Sequence, residues 1–292
     1  MAKELTHILI AQDVVKRLKG FGQPLLAQVI EKNLSAYYLG SIIPDALFYD
    51  VFLFCPDRRK HIGISRSLHQ NEKAENDRKA MGFFRAIAAN PHMWPLKMAF
   101  SAGIVTHTVV DRILHNLIEY YTTAWGEKGS NALATHREIE TLVDMVLLQP
   151  LNMHPRQFRF QRFIQMDERT KHLLFQFYLA DLIGEGTEPS RSLLKTLKRA
   201  SDQQCFFLQL FATRSLYRIM KISNSLPSDR LRAWQSLFYP DEVGPQTFSV
   251  LAKPRADPPG DEILLNGGLA RLREAALNDA IWHINLAVTT FA

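Results

Sequence analysis

Cysteine is nearly absent from this chain: Cys55 and Cys205 are the only two among 292 residues. Two thiols cannot build the disulfide framework of a small secreted scaffold, and they fit a reducing compartment with both thiols free. Long apolar runs are missing too. No stretch reaches the roughly 18 uncharged apolar residues of a membrane-spanning helix. The opening Met1-Ala-Lys-Glu-Leu-Thr-His7 lacks a basic segment, an apolar segment and a small-residue cleavage site. It therefore carries no signal-peptide pattern, and a cytoplasmic location is expected.

Several chemistries lack their minimum parts. There is no Gly-x-Ser-x-Gly elbow, no Walker phosphate loop, no Gly-x-Gly-x-x-Gly fingerprint and no His-Glu-x-x-His helix. A di-iron four-helix protein needs Glu-x-x-His on two helices, and the chain does not supply that set. A phosphohydrolase of the His-Asp type needs an adjacent His-Asp pair, which does not occur. Strand alternation is scarce, and there is neither an internal repeat nor a low-complexity tract.

What is present is helical periodicity in a chain that is 47% apolar. The patterns predict helices near 7–19, 24–34, 66–90, 95–124 and 133–148, then near 167–183, 189–201, 203–222, 227–237 and 267–290. The expected fold class is all-α. Residues 1–150 would form a helical core and residues 151–292 a helical continuation packed on it, one domain overall. Three prolines and a glycine in Ala252-Lys-Pro-Arg-Ala-Asp-Pro-Pro-Gly-Asp261 mark a surface connector or a lid. A net charge of +6 favours anionic partners, although many soluble enzymes carry as much.

The densest chemistry lies in Gly103-Ile-Val-Thr-His107-Thr-Val-Val-Asp111-Arg-Ile-Leu-His115. Residues four apart in a helix sit almost above one another, drifting about 40° per step, so imidazole, carboxylate and imidazole share one stripe. Val105, Val109, Val110, Ile113 and Leu114 make the same helix apolar nearly all round, which predicts burial. A buried carboxylate requires either a hydrogen-bonded partner or a cation. Both a core His-Asp network and a metal site remain open on this stripe alone. His136 and Glu140 repeat the four-residue interval on the next helical pattern. Nitrogen with carboxylate oxygen suits Zn²⁺, with Mn²⁺ and Fe²⁺ as alternatives. His7, Asp45 and His69 precede the stripe, and each has an ordinary reading as a packed histidine, a helix cap and a surface residue.

Taken in order, His7, Gly40 to Asp45, Leu68-His69, His107-x3-Asp111-x3-His115 and His136-x3-Glu140 resemble the zinc-dependent phospholipase C family. The likeness covers roughly residues 1–150. It implies a helical phospholipase C/nuclease-like bundle with metal ligands projecting from several helices, a fold shared with single-strand nucleases. By that resemblance Asp45, His69, His107 and Asp111 hold one zinc, and His115, His136 and Glu140 a second. Asp111 also reaches a third, which His7 and a processed amino terminus complete. Without a cleavage pattern the third ion lacks its terminus, so two Zn²⁺ are expected. Asp111 to His115 is a shorter interval than in the secreted phospholipases C, which leaves Glu119 as a substitute ligand or an outer partner.

The resemblance further implies hydrolysis of a phosphodiester, with phospholipid as the substrate and Asp45 orienting or deprotonating the attacking water. Peripheral membrane contact fits such a substrate, and nucleic acid is the less favoured one. The alternatives are a nuclease-like phosphodiesterase and a non-catalytic helical interaction module with structural zinc. Beyond residue 150, His154, His172 and His283 read as isolated histidines. Arg156, Arg159 and Arg162 among Phe158, Phe160 and Phe163 read as an amphipathic face, with phosphate or membrane contact as the alternative.

Overall fold

A computed structural model describes residues 3–20, 23–50, 58–66, 68–69, 73–89, 92–125, 130–184, 188–223, 229–244, 251 and 268–291. These residues are mostly helical and include no strand, so the all-α expectation holds. The α-helices are α1 (Glu4–Leu18), α2 (Pro24–Lys32), α3 (Leu34–Ile42), α4 (Arg58–Arg66), α5 (Lys73–Ala89), α6 (Trp94–Trp125) and α7 (Ser130–Leu148). They continue with α8 (Phe160–Phe163), α9 (Glu168–Ile183), α10 (Arg191–Phe211), α11 (Arg214–Ser223), α12 (Asp229–Gln235) and α13 (Gly268–Phe291). A 3₁₀ helix, Ile43–Tyr49, follows α3. The candidate lid at 252–261 and Cys55 lie outside the described residues, while Cys205 is a buried thiol.

Local chemistry accounts for several boundaries. Pro24 opens α2, where its missing N–H is no loss. Asp167 caps α9 by accepting from the Thr170 N–H at 2.9 Å. That helix stops at Gly184, whose φ of 109° is open to glycine and strained for other residues.

The chain divides into two compact units. One comprises Met1–Leu9, Ile113–Arg159 and Phe207–Ala276; the other comprises Ile10–Arg112, Phe160–Phe206 and Leu277–Ala292. In the second unit, α5 packs on α9, and Phe83 stacks on Tyr178 with ring centroids 5.8 Å apart. Phe100 of α6 meets the same tyrosine edge-on. There too α3 crosses α6 backbone to backbone. A Cβ on Gly40 would lie 2.1 Å from the Phe100 carbonyl oxygen, and one on Gly103 would lie 2.1 Å from that of Tyr37. Only glycine at both positions permits so close a crossing.

In the first unit, α7 packs on α12 and carries a buried polar network. Asp144 accepts from the Thr6 N–H at 2.9 Å and from the Tyr239 hydroxyl at 2.5 Å. Lys3 donates to Thr141 Oγ1 at 2.8 Å and to the Leu237 carbonyl at 2.6 Å, with its ammonium 4.2 Å from the Tyr239 ring centroid. Burial lowers the Lys3 pKa to about 8 against the pull of nearby carboxylates, Asp144 first. The same burial raises Asp144.

Three expectations need correction. The predicted break near 202 is absent: α10 runs to Phe211, with Ser201 and Gln204 buried and Gln204 donating to the Ile42 carbonyl at 3.0 Å. Ser201-Asp202 resembles a helix cap, yet tertiary packing keeps both inside the helix. The predicted helix 66–90 does not begin at 66, because α4 ends there and α5 starts at Lys73. Finally, α3 was not expected, since a nine-residue segment buried from Ala36 to Ile42 shows no polar face and hence no period.

Candidate metal centre

Four side chains in the second unit are placed by three local devices. Asp45 lies in the 3₁₀ helix directly after α3, with Pro44 in its first turn. His69 lies in a turn after α4, where the N–H groups of Leu68 and His69 donate to the Ser65 and Arg66 carbonyls. His107 and Asp111 stand one turn apart on α6. One donor atom from each of Asp45, His69, His107 and Asp111 lies within 4.8 Å of all the others.

Hydrogen bonding determines which imidazole atoms face inward. His107 Nδ1 is 2.9 Å from the Ser41 carbonyl, and His69 Nδ1 is 2.8 Å from the Ser65 carbonyl. A carbonyl only accepts, so each Nδ1 carries a hydrogen and each Nε2 turns to the cluster. The glycine crossing makes the first of these bonds: Ser41 follows Gly40, and His107 lies one turn beyond Gly103. Sequence reasoning did not find the Ser41 and Ser65 carbonyls, because a backbone acceptor leaves no residue-type signal.

The two Nε2 atoms are 3.0 Å apart. His69 Nε2 is also 3.1 Å from Asp45 Oδ1 and 3.2 Å from Asp111 Oδ2, and His107 Nε2 is 3.7 Å from Asp111 Oδ2. Two imidazole nitrogens and two carboxylates at such separations repel one another unless positive charge lies among them. Burial opposes charge on the His69 ring, but hydrogen bonds to Asp111 and Asp45 and their negative charge raise its pKa to about 10. The cluster thus selects for a cation. Asp45, His107 and Asp111 are buried, and the His69 side chain is 8% exposed. A convergent and largely buried His2Asp2 donor set fits Zn²⁺.

The other expected ligands lie in the first unit. His115 and His136 have ring centroids 5.6 Å apart, and His136 Nε2 is 3.3 Å from Glu140 Oε1. His115 Nδ1 is 3.4 Å from Glu119 Oε1, on the exposed side of α6. Burial would raise the Glu140 carboxyl, but positive charge, His136 included, outweighs it and holds the pKa near 2. Among the described residues these groups do not converge as tightly as the first four. His7 is fully buried on α1.

Of the three isolated histidines, two have local roles and His172 is exposed. His154 caps a 3₁₀ turn, and His283 Nδ1 bonds the Asp279 carbonyl at 2.9 Å. Phe158 and Phe160 are buried while Arg156, Arg159 and Arg162 are exposed, as an amphipathic segment requires. No helix among the described residues is long and apolar enough to cross a membrane. A family model described as zinc-dependent phospholipase C matches residues 6–181, more than half of the chain. No curated protein and no solved structure matches it significantly.

Proposed function

The chain belongs to the zinc-dependent phospholipase C family, and on that premise we propose that it hydrolyses phosphodiester bonds, with phospholipid as substrate and zinc held by Asp45, His69, His107 and Asp111. The observation that carries this reading is the convergence of those four donors, with both imidazoles oriented by backbone carbonyls. When bound, zinc supplies Lewis acidity that polarises a phosphoryl oxygen and makes a water more acidic. The remaining work belongs to the protein. The 3₁₀ backbone sets the buried Asp45 at the cluster, where its carboxylate can accept a proton from the attacking water. Asp111 supplies the second negative charge that matches a divalent ion. Apolar walls from α3 and α6 exclude bulk water and strengthen these charges.

A second ion is assigned to His115, His136 and Glu140, which are neighbours in the first unit. A different reading draws on the same count of donors: four protein ligands satisfy a closed tetrahedral zinc, as in a structural site of an interaction module. Metal analysis together with Asp45→Asn separates the two. A catalytic site predicts bound zinc in the parent protein and turnover of a nitrophenyl phosphocholine diester. It further predicts that Asp45→Asn keeps at least one metal while turnover falls by roughly 10²- to 10⁴-fold. Zinc-loaded parent protein that cleaves neither lipid, single-stranded nucleic acid nor small diester points to the structural site. Absence of any transition metal after refolding with zinc overturns both readings.

A further inference from the structure

In the first unit, α11 has the sequence Arg214-Ser-Leu-Tyr-Arg218-Ile219-Met-Lys221-Ile222-Ser223, with three cations and no carboxylate. At 100° per residue its exposed positions span an arc of about 160°. Lys221, Arg214 and Arg218 fill one side of that arc, and Ile222 and Ile219 the other, with Ser215 between them. All six are exposed. Ile222 is 76% exposed and Ile219 is 59% exposed, while Leu216, Tyr217 and Met220 turn toward the protein. These two isoleucines, three positions apart, leave most of their apolar surface open to water. Arg214 and Arg218 share one carboxylate, Asp241, at 2.6 and 3.3 Å, which leaves a net positive charge on the pair. Lys221 takes part in no ion pair among the described residues. On α12, which packs against α11, Trp234 is 46% exposed.

A cationic strip beside an apolar one on a single helix face is the chemistry of an interfacial helix, with aliphatic side chains in the acyl boundary and cations at anionic headgroups. We propose that the outer face of α11 docks the protein onto anionic phospholipid membranes, through Ile219 and Ile222 with Lys221, Arg214 and Arg218. Charge complementarity selects an anionic bilayer over a neutral one. The inference rests on the phospholipid reading above, since a substrate embedded in a bilayer must be approached at its surface.

The test is vesicle co-sedimentation of zinc-loaded protein with phosphatidylcholine alone and with a phosphatidylcholine–phosphatidylserine mixture. The parent should bind the mixed vesicles, and added salt should weaken that binding. Ile219→Ser/Ile222→Ser should reduce it by at least about tenfold, and Lys221→Glu should reduce it on mixed vesicles specifically. Trp282→Ser/Leu286→Ser, which alters an exposed apolar pair on α13, should bind as the parent does. Because every substituted side chain is exposed, circular dichroism should show unchanged helicity.

Turnover of the soluble nitrophenyl phosphocholine diester should be unchanged in the α11 variants, while the apparent KM for vesicle substrate rises. Equal vesicle binding by parent and isoleucine double variant overturns the docking surface. So does a parent that binds neither vesicle, and so does a size-exclusion shift showing that α11 pairs with a second copy. Vesicle binding lost in the variants, from a protein that turns over no diester, upholds the surface and rejects only the catalytic reading.

Discussion

Charge and hydrogen-bond direction at single side chains decide what the cluster of Asp45, His69, His107 and Asp111 holds. Asp111 contributes one of two carboxylates and lies 3.2 Å from His69 Nε2 and 3.7 Å from His107 Nε2. Replacing Asp111 with asparagine keeps the shape and halves the negative charge facing a divalent cation. Zinc affinity should then fall by more than the roughly 10- to 100-fold typical of losing an outer-sphere partner. Competitive chelator titration of parent and variant gives that ratio, and equal affinities would remove Asp111 from the ligand set. Asp111 and His107 were legible in the sequence because both sit on one regular helix, where spacing is geometry. Asp45 and His69 were not. One lies in a 3₁₀ turn and the other after a helix end, where no period exists, and only the order of residues shared with a known family pointed to them.

At the scale of elements, the crossing of α3 and α6 controls the site. Ser41 lies next to Gly40, so any separation of the helices lengthens the 2.9 Å bond that orients His107. Gly103→Ala would place a methyl 2.1 Å from the Tyr37 carbonyl oxygen and 2.8 Å from the Ser41 nitrogen. Backbone atoms cannot swing aside as a flexible side chain can. A destabilisation at or above the usual overpacking range of about 1–3 kcal/mol is expected, together with weaker zinc binding. Denaturant unfolding and metal content of the same preparation check both effects, and unchanged zinc content at reduced stability would separate the crossing from the site. This crossing also shows why α3 escaped sequence reading. A helix buried on every side leaves no amphipathic signature, and Gly40, which reads as a helix breaker, is the residue that lets α3 pack. By contrast α6 and α9 keep bounds close to those expected, since length and an Asp167 cap mark them.

For the whole molecule, alkaline pH should act in opposite directions on the two units. Lys3 is buried in the first with a pKa near 8, whereas an unfolded lysine titrates near 10.5. Between these values the unfolded chain binds more protons than the folded one, so stability rises with pH across that window, by about 3 kcal/mol for this group. Tyr37 and Tyr178 are buried in the second unit, and desolvation raises both. Unfolded tyrosine ionises near 10, so above about pH 10 the unfolded chain loses protons that the fold retains, and stability falls. Denaturant unfolding should therefore show stability rising from about pH 8 toward pH 10 and declining beyond it. In Lys3→Met the rise should vanish while the decline persists, because the tyrosines are untouched. Hydrogen exchange resolves the origin: protection around Thr6 and Asp144 should increase toward pH 10, and protection around Tyr37 should decrease above it. A parent whose stability declines steadily from pH 8 would show that the ammonium of Lys3 is better solvated than its burial implies.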